Sequence, residues 1–222
     1  MRTEQGLTVK WVLWAGAVGL ASSAVFSSIL GLERGPFVLA HTLTVAAFWW
    51  VFSRRTTLDL SGEFRHRPIA GSLAGLAVGL LLALSVLRFP GGHAPRGSSL
   101  AVSLGWYGFV YGVADALLLT MVPVLAVMGG AAVGAGEGGG SRRALRALAG
   151  LLASLFVTAL YHLGFDEFRG LSLTQPLVGN AIITAGYLVT RNPVTPLLSH
   201  SLMHVAAVLH GMETASQLPP HY

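Results

Sequence analysis

The chain has 222 residues, of which 53% are hydrophobic and 10% charged, with a formal net charge of +5. Ordinary soluble domains carry roughly 25% charged residues, and uncharged runs near twenty residues recur along this chain. A water-soluble globule is thereby excluded in favour of a multi-pass membrane protein. Cysteine is absent, which removes disulfides, thiolate metal sites and cysteine nucleophiles.

Seven segments are long and apolar enough to cross a bilayer whose core takes about 20 helical residues. In chain order they are Trp11 to Leu32, Gly35 to Ser53, Pro68 to Leu87, Ser99 to Met128, Ala147 to Phe165, Gly170 to Thr190 and Asn192 to Met212. Backbone groups in lipid must be satisfied within the segment, so the expected class is all-α, a single integral membrane domain over residues 1–222. The first segment lacks a small-residue cleavage site before Glu33 and reads as a retained anchor. Pro123 is placed to kink or end the long fourth segment. The sixth, with Pro176, Gly179 and Asn180, is the weakest crossing. Residues 129–146 read as a Gly/Ala-rich flexible cytoplasmic loop. Gly71, Gly75 and Gly79 fall every four residues on the third segment, a spacing that lets another helix approach closely.

Basic residues sit in short loops. With seven crossings, ten Lys and Arg fall on the N-terminal side and four on the other, at Arg34, Arg88, Arg96 and Arg169. That bias predicts a cytoplasmic N-terminus and an external C-terminus, and it reads as topology signalling rather than nucleic-acid binding. The one lysine, Lys10, lies at the start of the first segment, so no lysine is available mid-membrane for a retinal Schiff base. Low lysine with abundant Arg, Ala and Gly is the composition of a GC-rich bacterial genome, and a bacterial inner membrane is the expected location.

Of nine acidic residues only Asp115 lies mid-span. An ionised Asp at mid-bilayer costs roughly 2.5–3.5 kcal/mol on insertion scales, so it is expected to face the bundle interior as a general base, a metal ligand or a helix-bonding group. Tyr107, Tyr111 and Asp115 share a helix face by their spacing. So do Ser154, Thr158 and His162 on the fifth segment. His200 and His204 on the seventh are four apart and point the same way, which suits two imidazoles that share a metal or that orient a substrate and stabilise charge. His41 is open between joining this group and simple packing. His210 reads as interfacial, and His66, His93 and His221 as loop or tail residues.

The order of these residues resembles the CAAX protease and bacteriocin-processing (CPBP) family of membrane proteins, over residues 106–211. The family's Glu-Glu-x-x-x-Arg motif corresponds to the stretch Tyr111-Gly-Val-Ala-Asp-Ala-Leu-Leu-Leu, with Ala114-Asp115 in place of the glutamate pair and Leu119 at the arginine position. Its Phe-x-x-x-His motif corresponds to Phe156-Val-Thr-Ala-Leu-Tyr-His162, with Thr158 four before the histidine. Its His-x-x-x-Asn motif corresponds to Pro196-Leu-Leu-Ser-His200-Ser-Leu-Met-His204, preceded by Gly186-Tyr-Leu-Val-Thr-Arg-Asn-Pro. The resemblance implies a CPBP-like bundle and an intramembrane endopeptidase. Asp115 would activate water, His162 and His200 would bind water or a divalent metal such as zinc, and His204 would polarise the scissile carbonyl. Asp115 is one methylene shorter than the family's glutamate. Two other functions are consistent with the same residues. One is a non-proteolytic relative that serves as a partner-binding subunit of a membrane complex. The other is a metal or haem protein with His162, His200, His204 and Asp115 as ligands, although His200 and His204 on one helix cannot both be axial to one haem.

Overall fold

The computed structural model describes residues 2–129, 140–211 and 218, and all regular structure among them is helical. Helix α1 spans Arg2–Ser23 and runs on through a π-helical turn, Ala24–Ile29. Helix α2 spans Arg34–Arg55, the short α3 Leu60–Arg65, and α4 Pro68–Val86. Helix α5, Ser98–Met128, is continuous but changes pitch along its length. Helix α6 is Gly140–Leu163, α7 is Thr174–Thr190 and α8 is Val194–His210. Two 3-10 turns, Asp166–Phe168 and Leu171–Leu173, link α6 to α7.

Among the described residues, five helices are long and apolar enough to cross a membrane: α1 from Val9, α2, α4, α5 and α6. The last two helices have 17 residues each, about 26 Å at 1.5 Å per residue, the short end of what spans a hydrocarbon core. The sixth segment is shorter than its sequence suggests because Gly170 takes a φ of 116°, which breaks the chain direction, and Pro176 sits in the first turn of α7. The expected flexible loop over residues 129–146 is corrected at its end, since residues 140–146 already form the first two turns of α6. Residues 130–139, Met212 and His221 lie outside the described residues. A feature without a strong sequence signal is α3, whose N-terminus is capped by the Asp59 carboxylate accepting from Gly62 N–H at 3.0 Å.

Helix α5 is the centre of the bundle. Of its most apolar window 72% is buried, against 28–39% in the other four, so α5 is wrapped by protein while its neighbours present exposed leucines on the outer surface. Its Leu118, Leu119, Met121 and Val122 pack with Phe37, Val45 and Phe52 of α2 and Val157 and Tyr161 of α6 in one apolar core. Two π-helical stretches, Leu104–Val110 and Ala116–Met121, bracket the α-helical turn Tyr111–Asp115, and such wider turns recur beside functional groups. Pro123 does not end α5, because the helix continues to Met128. Proline brings no N–H to this turn, and the Ser154 hydroxyl of α6 bonds the Leu119 carbonyl there at 2.6 Å.

Helix α8 lies along α4, and glycine decides how closely. A Cβ on Gly75 would stand 2.9 Å from Leu198 Cβ and 3.1 Å from the Thr195 carbonyl, and one on Gly79 would stand 2.7 Å from Leu202. Ser199 and Thr195 hydroxyls donate to the Gly75 and Gly71 carbonyls across this seam, at 3.2 and 3.0 Å. A second close approach had no counterpart in the sequence reading. Gly108 and Gly112 of α5 face Val205 and Ser201 of α8, and a Cβ on Gly112 would lie 2.7 Å from Ser201 Cα. At the α7–α8 turn, Asn192 donates to the His66 and Phe64 carbonyls at 2.6 and 3.0 Å, which ties that turn to the α3–α4 link.

Candidate functional site

Backbone contact at Gly112 and Ser201 sets the two side chains that flank it, Asp115 on α5 and His204 on α8, against each other. His204 Nε2 stands 3.2 Å from Asp115 Oδ2. On the other side of the carboxylate, His41 Nε2 of α2 stands 3.4 Å from Oδ1. All three are enclosed, with His41 0%, His204 2% and Asp115 4% exposed. A buried carboxylate is costly unless compensated, and here the His204 imidazole bonds one oxygen while the His41 ring faces the other. His41 Nδ1 meets the Ser22 hydroxyl of α1 at 3.2 Å. His41, left open by the sequence, therefore belongs to the centre. Lying outside every motif, His41 gave no signal that α2 would face α5 here.

His200, one turn before His204, is 3% exposed, and its ring lies nearly parallel to that of His204, with centroids 6.2 Å apart. Asp115, His200 and His204 each offer a ligand atom within 4.8 Å of the others'. Three such ligands with room for water or substrate make the donor set of a catalytic-type zinc site, so the residues present fit a divalent cation. Asp115 Oδ1, His200 Nδ1 and His204 Nδ1 are buried and without a hydrogen-bond partner among the described residues, which leaves capacity for a ligand.

His162 is not brought into this trio. Its Nδ1–H donates to the Thr158 carbonyl of its own helix at 2.8 Å, and its ring meets Phe168 edge-on at 4.9 Å. It stays at the wall of the cavity described below. Tyr111 enters the centre instead. Its ring packs 4.8 Å from His204 and 5.8 Å from His41, and its hydroxyl bonds that of Tyr161 at 2.8 Å. Tyr107, on the same face by spacing, lies beyond a change of helical pitch, near Gly35. His210 donates from Nε2 to the Phe89 carbonyl at 2.7 Å, far along α8 from the centre.

Asp115, His200, His204 and His162 line a cavity of about 540 Å³, within the size of small-molecule sites. Its walls are mostly apolar side chains of α4 and α7, and its rim includes Arg88, Gln175 and Thr174. Leu81, Leu84 and Val178, which are among the lining residues, are 55%, 52% and 59% exposed, so the cavity opens sideways between α4 and α7, on the bundle's apolar surface.

A second polar cluster borders the centre. Asn180 of α7 donates from Nδ2 to the Ser154 and Thr158 hydroxyls at 2.9 and 2.6 Å and accepts from the Thr120 hydroxyl at 2.8 Å. Asn180 counted in the sequence only against the sixth crossing. A buried amide in an apolar helix is, however, the mark of a residue that must find partners on neighbouring helices. Compared with models of known protein families, with curated proteins and with solved structures, the chain gives no match.

Proposed function

We propose that the chain is a seven-crossing bacterial inner-membrane protein of the CPBP endopeptidase type, with a cytoplasmic N-terminus and an external C-terminus, that hydrolyses peptide bonds of membrane-resident substrates. The observation that carries this reading is a buried carboxylate bonded by one imidazole and faced by a second, at the wall of a cavity open to the bundle's apolar surface. Asp115 Oδ1 takes the proton of the attacking water, whose oxygen bonds to the scissile carbonyl carbon, and the proton is then returned to the leaving amine. His200 Nδ1 accepts a hydrogen bond from that water. His204 was expected to polarise the carbonyl. Its Nε2 lies 3.2 Å from Asp115 Oδ2, so in this reading the two side chains work as one unit. A substrate helix enters between α4 and α7.

The test is a library of membrane peptides reconstituted with the protein in vesicles, with new termini read by mass spectrometry. Cleavage by the wild type that is lost in Asp115→Asn and His200→Ala supports the reading. A wild type that cleaves nothing overturns it, and a stoichiometric protein partner recovered with such an inactive wild type makes the chain a binding subunit instead.

The convergence of Asp115, His200 and His204 ligand atoms within 4.8 Å favours a second reading, a divalent-cation centre. Elemental analysis of protein purified without chelator would then show near one equivalent of metal, lost in His204→Ala and kept in His162→Ala. Metal-free protein that takes up no zinc on titration excludes it.

A further inference from the structure

The cluster around Asn180 lies against the candidate centre, and its hydrogens can be placed one at a time. The Thr158 hydroxyl donates to the Ser154 carbonyl at 2.9 Å, and the Ser154 hydroxyl donates to the Leu119 carbonyl at 2.6 Å. A hydroxyl has one hydrogen, so toward Asn180 both oxygens can only accept. The Asn180 amide is thereby oriented, with its nitrogen toward α6 and its oxygen toward Thr120. The Thr120 hydroxyl gives its single hydrogen to Asn180 Oδ1, at 2.8 Å. Toward His200 Nε2, which lies 3.4 Å away, Thr120 is left with a lone pair. His200 Nε2 must carry the hydrogen, and in a neutral imidazole Nδ1 is then bare. That Nδ1 is buried and has no hydrogen-bond partner among the described residues.

We infer that Asn180 and Thr120 are positioning residues that hold His200 as its Nε2–H tautomer and so leave its buried Nδ1 lone pair as an open acceptor. The relay is anchored at the Leu119 carbonyl, which can only accept, so reversing the Ser154 bond would take away that carbonyl's donor. A carbonyl anchor on α5 thus decides the chemistry of a ring on α8. Its consequence rests on the hydrolytic reading, in which Nδ1 receives the hydrogen bond of water; the tautomer itself does not.

The experiment uses the full chain labelled with 15N-histidine in lipid nanodiscs, with imidazole nitrogen spectra assigned for His200 by its loss in His200→Gln. The wild type is expected to show one protonated and one bare nitrogen, with the proton on Nε2. Thr120→Ser keeps the hydroxyl and should keep that single tautomer. Thr120→Val keeps the shape, removes the acceptor, and should give a mixture of tautomers, as should Asn180→Leu. A proton on Nδ1 in the wild type, or an unchanged spectrum in Thr120→Val, overturns the inference. The expected spectra with no peptide cleavage would leave the relay standing and remove only the peptidase reading. Cleavage with the opposite tautomer would do the reverse.

Discussion

Substituting Gly112 tests whether the close approach of α5 and α8 builds the centre. A methyl on Gly112 would sit 2.7 Å from Ser201 Cα, 2.9 Å from Ser201 N and 3.1 Å from the His200 carbonyl carbon. These are backbone atoms, so no rotamer change relieves the clash, and the two helices must part by about 1 Å to restore ordinary van der Waals separation. Overpacking of this kind costs about 1–3 kcal/mol. The same displacement would take the His204–Asp115 contact from 3.2 Å past hydrogen-bond range, and a bond to a charged group contributes about 1.5–3 kcal/mol. Gly112→Ala should therefore destabilise by about 2.5–6 kcal/mol. The assay is thermal or denaturant unfolding in nanodiscs, followed by tryptophan fluorescence, with Gly105→Ala as the control. Gly105 is on the same helix, and a methyl there meets nothing within 4 Å, so the control should stay within about 0.5 kcal/mol of wild type. Equal stability of the two variants would refute the idea that backbone contact at Gly112 sets Asp115 against His204. In the hydrolytic reading, a misplacement of about 1 Å also lowers the rate by on the order of 100-fold.

Other expectations concern separate parts of the molecule. Ser154→Ala removes the side-chain donor to the Leu119 carbonyl and should cost about 1–3 kcal/mol in the same unfolding assay. Asn180→Leu leaves the Thr120 hydroxyl without its acceptor and should destabilise by about 1–3 kcal/mol, so unchanged unfolding would show that the network contributes nothing. Gly75→Ala should destabilise more than Gly79→Ala, because each methyl meets a Cβ at 2.9 Å, of Leu198 and Leu202, but Gly75 also faces Thr195 backbone atoms while the other contacts of Gly79 are the movable end of Leu202. In the α6–α7 link, burial pushes the Glu167 carboxyl up, partly opposed by the Arg34 guanidinium. An acid with a raised folded value favours the folded state while protonated, so this contribution is present at low pH and lost as pH rises through the range above the usual 4.5. Glu167→Gln should flatten that part of the pH–stability curve.

Sequence alone determined the helical class. Runs free of charge must satisfy their own backbone in lipid, and this holds whatever surrounds them. It also marked Asp115, His200 and His204 as inward-facing, because an ionisable group among apolar neighbours has nowhere else to go. It announced the α4 seam, since Gly71, Gly75 and Gly79 repeat along one helix face, a local property. The rest depended on which helix meets which. His41 joins the centre only because α2 lies against α5, and nothing within α2 records that neighbour. His162 shares the spacing of a motif yet is claimed by the Thr158 carbonyl of its own helix. Tyr107 and Tyr111 are one nominal turn apart, but the π-helical stretch between Leu104 and Val110 changes the pitch, and only Tyr111 reaches the imidazoles. Spacing along a chain fixes direction around a single helix. The distances that make a carboxylate and several rings one group are set by the packing of separate helices, where small residues such as Gly108 and Gly112 let two backbones touch.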